Sequence, residues 1–285
     1  METTANLLAL PEDCIATVIS FTSPLDACRI SSVSAALRSA AESDTVWERF
    51  LPAEFRQSPA SSKKELFLSL SDIPLLVENG KMSLTLERRS GKKCYMLSAR
   101  ELMITWADSP AYWKWTSIHE SRFAEVAELV SVCWLEIRGR IHISVLSKET
   151  VYTAYLVFKQ KRSYGFDYQP VEASFGPADS KADKRTVFLA TGNERRLGYH
   201  IQTRHYGLVS TENGSGNQTS RVDTDDKTRN HISERNDGWL EVELGEYFVK
   251  AGAEEELEMS ILEISGGNWK GGLLIQGIEI RPKRV

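Results

Sequence analysis

The fold is decided near the amino terminus by the stretch Leu10-Pro11-Glu12-Asp13-Cys14-Ile15-Ala16-Thr17-Val18-Ile19. Proline fits the first turn of a helix, where its missing N–H is not needed, so Pro11 predicts that a helix begins there. The acidic pair that starts at Glu12 then lies where the helix dipole favours negative charge. Apolar residues recur at three- and four-residue spacing, which predicts one apolar stripe along this short helix, formed by Ile15, Val18 and Ile19.

Similar helix signals continue as far as residue 50. Ser23 and Pro24 have the character of an N-cap and a first helical residue, which predicts a second short helix. Leu37 belongs to a third apolar stripe, and Asp44 opens a last helix that carries Trp47. Helices this short enclose little interior, so part of their apolar surface is expected to be covered by another structure.

This helical segment resembles an F-box. The resemblance is carried, in order, by Leu10-Pro11-Glu12, Ile15, Val18, Ile19, Pro24-Leu25-Asp26, Ser32-Val33-Ser34, Leu37-Arg38 and Trp47. It implies a helical unit that docks a Skp-type adaptor and thereby joins a cullin-RING ubiquitin ligase. The implied adaptor face contains Leu10, Pro11, Ile15 and Leu25. Ala35-Ala36 stands where many F-boxes have a basic and an aromatic residue, which implies weaker adaptor binding. The alternative is a helical cap on the downstream domain.

Length and composition restrict the classes of protein to consider. The chain has 285 residues, enough for one or two domains, and 41% hydrophobic residues, enough for a sizeable core. The net charge of −4 argues against nucleic acid as the main partner. No apolar run approaches the roughly 20 residues of a membrane helix, and no secretory signal is visible. The four cysteines form no C-x-x-C pair. We therefore expect reduced thiols in a protein of the cytoplasm, the nucleus or both.

The chain divides into three predicted regions, with the helical F-box at 1–51. Residues 52–92 are predicted to be a linker with one short helix, capped by Ser62. Within this linker, Asn79-Gly80 predicts a hairpin or an extended pair of segments. The basic run at residues 88–93 is interpreted as a solvated linker, and a nuclear localisation patch is the alternative.

Alternating apolar and polar residues dominate the third region, 93–285. Strands are predicted around residues 134–139, 152–159, 239–244, 256–261 and 271–281. The fold class is therefore α+β multidomain, with a small all-α unit followed by a mainly antiparallel β-sandwich. A helix is possible at residues 98–102, residues 121–129 are ambiguous, and residues 207–237 are predicted to be a long exposed loop.

The third region resembles the phloem-lectin, or Nictaba-like, domains of plant proteins. The resemblance is carried by Ser98-Ala99-Arg100-Glu101-Leu102, Ile104-Thr105-Trp106, Tyr112-Trp113-Lys114-Trp115, Ala127-Glu128-Leu129, Cys133-Trp134-Leu135-Glu136-Ile137, Tyr155-Leu156-Val157-Phe158-Lys159, Asp237-Gly238-Trp239-Leu240-Glu241, Gly245-Glu246 and Ile275-Gln276-Gly277-Ile278-Glu279-Ile280-Arg281-Pro282. It implies a jelly-roll sandwich that binds glycans containing N-acetylglucosamine or related sugars. The polar loop between Leu208 and Asn236 is longer than in other members, and a different glycan preference is expected if that loop borders the sugar site.

Sugar recognition requires an aromatic plate under the C–H face of the ring and polar groups for the hydroxyls. Trp106 and Trp113 flank a turn at residues 107–110, and each is either a hydrophobic plug or a stacking plate. The resemblance implies the plate, because both positions match tryptophans tied to sugar binding in the family. Trp134 and Trp239 begin strands and are interpreted as core residues. Secondary candidates for sugar contacts are Glu256, Glu263, Trp269 and Lys270.

The sequence gives no sign of catalysis. There is no G-x-S-x-G elbow and no H-E-x-x-H, and the strand glutamates cannot be paired across a cleft from sequence. Residues 265–272 are rich in glycine but do not form a P-loop motif, so a tight hairpin is predicted. We therefore expect no catalytic residue, no metal site and no cofactor.

The two resemblances together imply a substrate-receptor subunit of an SCF-type cullin-RING ubiquitin ligase. Its F-box would bind the Skp-type adaptor and its lectin-like domain a glycan or glycoprotein, with neither nucleic acid nor a membrane as partner. One alternative keeps the adaptor role but lets the sandwich bind a protein surface. Others are a stand-alone stress lectin of the cytosol or nucleus, and a glycosidase.

Overall fold

The computed structural model describes residues 10–166, 169–178, 183–190 and 232–284. The helices are Glu12–Ser20 (α1), Pro24–Ser31 (α2), Ala35–Glu42 (α3), Asp44–Phe50 (α4), Ala53–Arg56 (α5) and Lys63–Asp72 (α6). The strands are Leu75–Val77 (β1), Met82–Leu86 (β2), Lys93–Ser98 (β3), Met103–Ile104 (β4), Trp113–Thr116 (β5), Val126–Leu129 (β6), Leu135–His142 (β7), Thr150–Tyr164 (β8), Val171–Pro177 (β9), Lys184–Val187 (β10), Ser233–Glu234 (β11), Leu240–Val249 (β12), Glu256–Glu263 (β13) and Gly271–Pro282 (β14). None of the described helices is long and apolar enough to span a bilayer.

The amino-terminal helices form where capping residues predict them. The Ser23 hydroxyl accepts the N–H of Asp26 at 3.1 Å, and Pro24 is the first residue of α2, as predicted. The core of this unit forms around Trp47, whose indole N–H donates to the Ala41 carbonyl at 2.8 Å. The apolar stripe of α1 is narrower than expected, because Ile15 and Ile19 are buried whereas Val18 is 49% exposed.

Residues 52–92, predicted to be a linker with one short helix, contain the helices α5 and α6 and the strands β1 and β2. The predicted hairpin is present, with Val77 paired to Met82 across the turn. Its second strand, β2, then pairs along its whole length with β3, so the sheet begins before residue 93. On this strand Leu86 belongs to the helical core and Leu84 to the sandwich core. One strand therefore joins the two hydrophobic cores.

The basic run is the turn between β2 and β3. The Glu87 carboxylate accepts the backbone N–H groups of Arg89 and Ser90, at 3.1 and 2.8 Å. The Glu87 N–H donates to the Lys92 carbonyl at 2.7 Å, which closes the turn. The Glu87 carboxylate therefore satisfies backbone N–H groups of the turn between β2 and β3 and stabilises that turn.

The β-region is a two-sheet antiparallel sandwich, which confirms the predicted fold class. The nine-stranded sheet has the order β1-β2-β3-β14-β8-β12-β11, with β6 and β5 joined to one side of β14, and the five-stranded sheet has the order β10-β9-β13-β7-β4. The five predicted strands are all present, and side chains from both sheets form one core between them. Gly277 allows β14 to approach β3, since a Cβ atom there would lie 1.9 Å from the Leu97 carbonyl oxygen.

Several local predictions need correction. Residues 265–272 are not a tight hairpin, because β13 and β14 belong to different sheets and the segment crosses from one sheet to the other. Residues 99–101 form only a 3-10 turn, and the ambiguous segment contains β6. Most of the predicted 207–237 loop lies outside the described residues.

Candidate functional site

Four connecting segments meet at one end of the sandwich. Val132 and Lys270 exchange backbone hydrogen bonds of 2.9 and 2.8 Å, which joins the segment before β7 to the segment before β14. The Tyr112 carbonyl accepts the N–H of Val130 at 2.9 Å. The Tyr164 hydroxyl, at the end of β8, bonds the Ser131 hydroxyl at 2.7 Å. These contacts bring the loops that follow β4 and β8 beside the loops that precede β7 and β14.

Exposed aromatic residues concentrate here, and we call this surface the aromatic end. It comprises Trp106, Trp134, Tyr164 and Trp269, which are 43%, 39%, 44% and 55% exposed. The Trp106 ring rests on the Tyr112 ring with 5.0 Å between centroids. Trp106 also has a φ of +63°, a left-handed conformation that is costly for a bulky residue. Its local structure therefore holds this indole outward at some energetic cost.

A carboxylate orients the second indole of the aromatic end. One Glu136 oxygen accepts the Trp134 indole N–H at 3.0 Å and the Thr105 hydroxyl at 3.2 Å. The pKa of Glu136 is lowered mostly by the hydrogen bond from Arg138 and, to a smaller extent, by the hydrogen bond from Trp134. This carboxylate is therefore ionised at neutral pH and fixed beside the Trp134 indole.

Beneath the aromatic end lies a buried ion pair. The ammonium of Lys270, which is fully buried, contacts the carboxylate of Glu263, which is 6% exposed. The other Glu263 oxygen accepts the Gly266 N–H at 2.9 Å and the Gln169 amide at 3.1 Å. The Lys270 ammonium also donates to the Cys133 carbonyl at 3.3 Å. The pair thus ties together three of the loops that present the exposed aromatics.

Amide groups and a glycine complete this loop structure. The Asn268 side-chain amide donates to the side-chain oxygen Oε1 of Gln169 at 2.6 Å, and Asn268 immediately precedes Trp269. Gly165 has a φ of +82°, and a Cβ atom there would lie 2.4 Å from the Trp269 carbonyl oxygen. Only glycine allows the turn after β8 to approach the Trp269 backbone this closely.

The structure corrects the expected position of Trp113. This residue is only 2% exposed, so its ring face is not available as a stacking plate. Its indole N–H donates to the Thr105 carbonyl at 3.2 Å, and β5 holds its backbone against β6. Trp113 therefore lies beneath the loop that carries Trp106 and supports it.

Glu256 is also separated from the other candidates. It pairs with His142, whereas Glu263 pairs with Leu135 at the other end of the same two strands. Seven residues of strand at about 3.3 Å each place the two glutamates roughly 23 Å apart. Glu256 instead contacts Arg140 at 3.3 Å. Of the predicted sugar-binding residues, Trp106, Glu263, Trp269 and Lys270 come together.

Trp134 is not the core residue that its place at a strand start predicts, since it is 39% exposed. The missed signal is strand alternation: Leu135 and Ile137 point into the core, so Trp134 points to the opposite side. Trp239 is fully buried, as expected. Tyr164 and Gln169 had no sequence signal, because their positions depend on how long strands end in space.

The helical unit presents a second apolar surface. Its exposed large hydrophobic residues, within the described part of the first 50 positions, are Leu10, Val18, Phe21 and Val33. Pro11 is exposed beside Leu10, as an adaptor face requires. Two other predicted adaptor residues lie elsewhere, since Ile15 is 3% exposed in the helical core. Leu25 is partly buried and its N–H donates to the Arg89 carbonyl at 3.3 Å, so it faces the β2–β3 turn.

The aromatic end has the chemical groups that sugar recognition uses. Exposed indole and phenol faces can stack on C–H groups, and nearby carboxylate, amide and hydroxyl groups can bond hydroxyls. Among the described residues, no group of three His, Cys, Asp or Glu side chains is arranged to hold a metal ion.

Comparison with known proteins agrees with both parts of the structure. Residues 7–49 match the F-box domain family and residues 92–282 match the Phloem protein 2 family. F-box protein PP2-B1 of Arabidopsis thaliana is 49% identical over 97% of this chain and 90% of its own length. F-box protein PP2-B10 of the same plant is 42% identical, with 97% of this chain and 94% of its own length covered.

Similarity to solved structures is weak. A Podospora anserina β-(1,4)-mannanase with GH26 and CBM35 modules aligns with a TM-score of 0.32 and 9% identity, over 67% of this chain and 28% of the other. Nothing about function follows from it. The sequence relationships decide the question: this chain belongs to the phloem protein 2 family, as a plant F-box protein with a lectin-like PP2 domain.

Proposed function

We propose that the chain is the substrate-receptor subunit of a Skp–cullin–F-box ubiquitin ligase, located in the cytoplasm, the nucleus or both. Its PP2 domain binds glycans that contain N-acetylglucosamine or related sugars on target proteins. Catalysis belongs to the partner proteins. This chain contributes proximity, because it holds the target near the conjugating enzyme.

The observation that carries the glycan part of this proposal is the aromatic end. Trp106, Trp134 and Trp269 expose large ring surfaces, and two of these rings are held in place, Trp106 by Tyr112 and Trp134 by Glu136. A pre-ordered aromatic surface loses little conformational entropy when a ligand stacks on it. The Lys270–Glu263 pair is a positioning element, because it is buried and cannot reach a sugar without rearrangement.

The adaptor part rests on the F-box family match and on exposed Leu10 and Pro11. Truncation of interface residues of this kind costs a few kcal/mol, which corresponds to a tenfold to thousandfold loss of affinity. We expect Leu10→Ala with Pro11→Ala to abolish pull-down of a Skp-type adaptor and to leave glycan binding unchanged.

The test is a glycan array combined with an adaptor pull-down, both with the full chain. Wild-type protein is expected to bind glycans on the array, and Trp106→Ala is expected to lose that signal while it retains the adaptor. A matched control is Phe248→Ala, because Phe248 is an aromatic residue of β12 that is 43% exposed, as Trp106 is, and lies outside the aromatic end. Absence of glycan binding by wild-type protein would favour a protein surface as ligand instead.

A further inference from the structure

A cavity of about 610 Å³ lies where the helical unit meets the nine-stranded sheet. We call it the junction cavity. Its walls come from the start of α2, the β2–β3 turn, the adjacent ends of β8 and β12, and the carboxyl-terminal segment. The residues of interest in its lining are Arg89, Lys92, Val151, Phe248, Lys283 and Arg284. None of them belongs to the aromatic end or to the exposed apolar residues of the F-box.

The junction cavity is positively charged although the chain as a whole has a net charge of −4. Five cationic and two anionic side chains line it, an excess of three positive charges. The two carboxylates are already engaged with backbone, since Glu87 accepts N–H groups of its own turn and Glu149 accepts the Ala251 N–H at 2.8 Å. The local charge is therefore opposite in sign to that of the protein.

Three of these cations have no carboxylate partner. Lys283 pairs with Glu246 at 2.8 Å, and Arg29 pairs with Asp26 at 3.1 Å. Arg89, Lys92 and Arg284 form no ion pair with any carboxylate in the described part of the chain. Within the described residues, the Lys92 ammonium donates one hydrogen bond, of 3.4 Å, to the Glu149 carbonyl. A ligand that supplied negative charge here would not have to displace an existing ion pair.

One wall of the junction cavity is apolar and exposed. Val151 and Phe248 face each other across β8 and β12 and are 37% and 43% exposed. Leu25 of α2 lines the same cavity. Exposed apolar side chains next to unpaired cations favour a ligand that combines an apolar side chain with negative charges.

We propose that the junction cavity binds an acidic peptide, with carboxylates facing Arg89, Lys92 and Arg284 and an apolar side chain against Phe248 and Val151. The cations come from the β2–β3 turn and from the carboxyl-terminal segment, so they are spread along the cavity wall. This distribution suits several carboxylates along an extended segment rather than one compact phosphate. The site is a protein-recognition element separate from the glycan site.

Binding is tested with a fluorescein-labelled peptide of about ten residues, in which Asp and Glu surround one Leu. Fluorescence anisotropy with the full chain is expected to show saturable binding that weakens as salt rises, because screening acts on interactions between exposed charges. A peptide with Asn and Gln at the acidic positions is expected not to bind. Equal binding of both peptides, or binding of neither, would overturn the proposal.

Charge reversal identifies the site. Arg89→Glu and Arg284→Glu should each weaken binding about tenfold or more, since each places a like charge beside the peptide carboxylates. Lys184→Glu on β10 is the matched control, because Lys184 is 63% exposed and lies outside the cavity. If this control weakened binding as much as Arg89→Glu, the effect would be one of net charge and the assignment would be wrong.

A double-mutant cycle tests the apolar contact. Phe248→Ala and replacement of the peptide Leu by Ala should each weaken binding, and together they should cost less than the sum of the two losses. Strictly additive losses would contradict the placement of the peptide Leu against Phe248. Glycan binding by Arg89→Glu should equal that of wild type. A failed peptide titration with intact glycan binding would therefore reject this site alone.

Discussion

Trp106 and Trp113 are seven residues apart in sequence but have opposite roles. Trp113 fills the core beneath the loop at 2% exposure, and Trp106 lies on that loop at 43% exposure. We predict that Trp113→Ala lowers the free energy of unfolding by about 3–5 kcal/mol, because it leaves a large cavity. Trp106→Ala should change the thermal midpoint by only a few degrees and should abolish glycan binding. Measurements of thermal midpoint and glycan affinity on the same variants check both statements. A large fall in the thermal midpoint of Trp106→Ala would show that Trp106 is a core residue and not a stacking surface.

The Lys270–Glu263 pair illustrates how a buried charge depends on its partner. Removing one member leaves an uncompensated charge in the interior, so Lys270→Met or Glu263→Gln is expected to cost about 3–5 kcal/mol. The double replacement Lys270→Met with Glu263→Gln should cost much less than the sum of these two single changes, because it leaves no unpaired charge in the interior. Urea unfolding of the three variants measures this coupling. Additive losses would mean that the two side chains do not act as a pair.

Glu279 predicts how stability responds to acid. Burial raises its pKa, but the guanidiniums of Arg235, Arg122 and Arg281 outweigh burial and lower the pKa to about 2. Because the carboxyl pKa is lower in the folded than in the unfolded chain, its contribution is complete above about pH 4.5. That contribution, on the order of 3 kcal/mol, is lost as the pH falls from there towards 2.

Urea unfolding at a series of pH values tests this expectation. Glu279→Gln should be less stable at neutral pH and should lose less stability than wild type between about pH 4.5 and 2. The matched control is Glu256→Gln, which removes a carboxylate whose side chain is 47% exposed. An acid response of Glu279→Gln equal to that of wild type would contradict the role given to Glu279.

At the level of elements, strand β2 does more than connect two domains. It pairs with β3 in the sheet, and its residues contribute to both hydrophobic cores. A fragment that starts at Gly91 would lack this strand and would expose the β3 edge, which favours aggregation. We predict that a fragment starting at Ile73 is more soluble and has a higher thermal midpoint than one starting at Gly91. Equal behaviour of the two fragments would show that β2 is dispensable.

The elements also show how far the sequence could be interpreted. Alternation revealed the five long strands, and capping residues such as Ser23 marked the helix starts. The sequence does not show which strands share a sheet: β13 and β14 are consecutive in sequence but belong to different sheets. Residues 265–272 therefore looked like a hairpin, although they cross between layers.

The candidate site was predictable only in part for the same reason. Tryptophans near turns drew attention to Trp106 and Trp269, but sequence does not distinguish a ring above a loop from one beneath it, as Trp113 shows. Glu256 and Glu263 looked equivalent until the register of β13 against β7 placed them at opposite strand ends. The partners of Glu263 come from loops far apart in sequence.

At the scale of the whole molecule, the helical unit and the sandwich are in contact through β2 and the β2–β3 turn. Lys93 at the start of β3 also pairs with Glu54 of α5 at 2.8 Å. The proposed adaptor face and the aromatic end share no residue, so one chain is expected to bind adaptor and glycan simultaneously. This simultaneous binding is the central claim, since a substrate receptor must hold its target and its ligase together.

The most direct measurement captures the full chain on an immobilised glycan, chosen from the array, and then adds the Skp-type adaptor. The account predicts that the adaptor binds the captured chain with the affinity that it has for the free chain. Trp106→Ala should fail at the capture step, whereas Leu10→Ala with Pro11→Ala should be captured but should bind no adaptor. Release of the chain from the glycan when adaptor binds, or failure of captured wild-type chain to bind adaptor, would contradict the account.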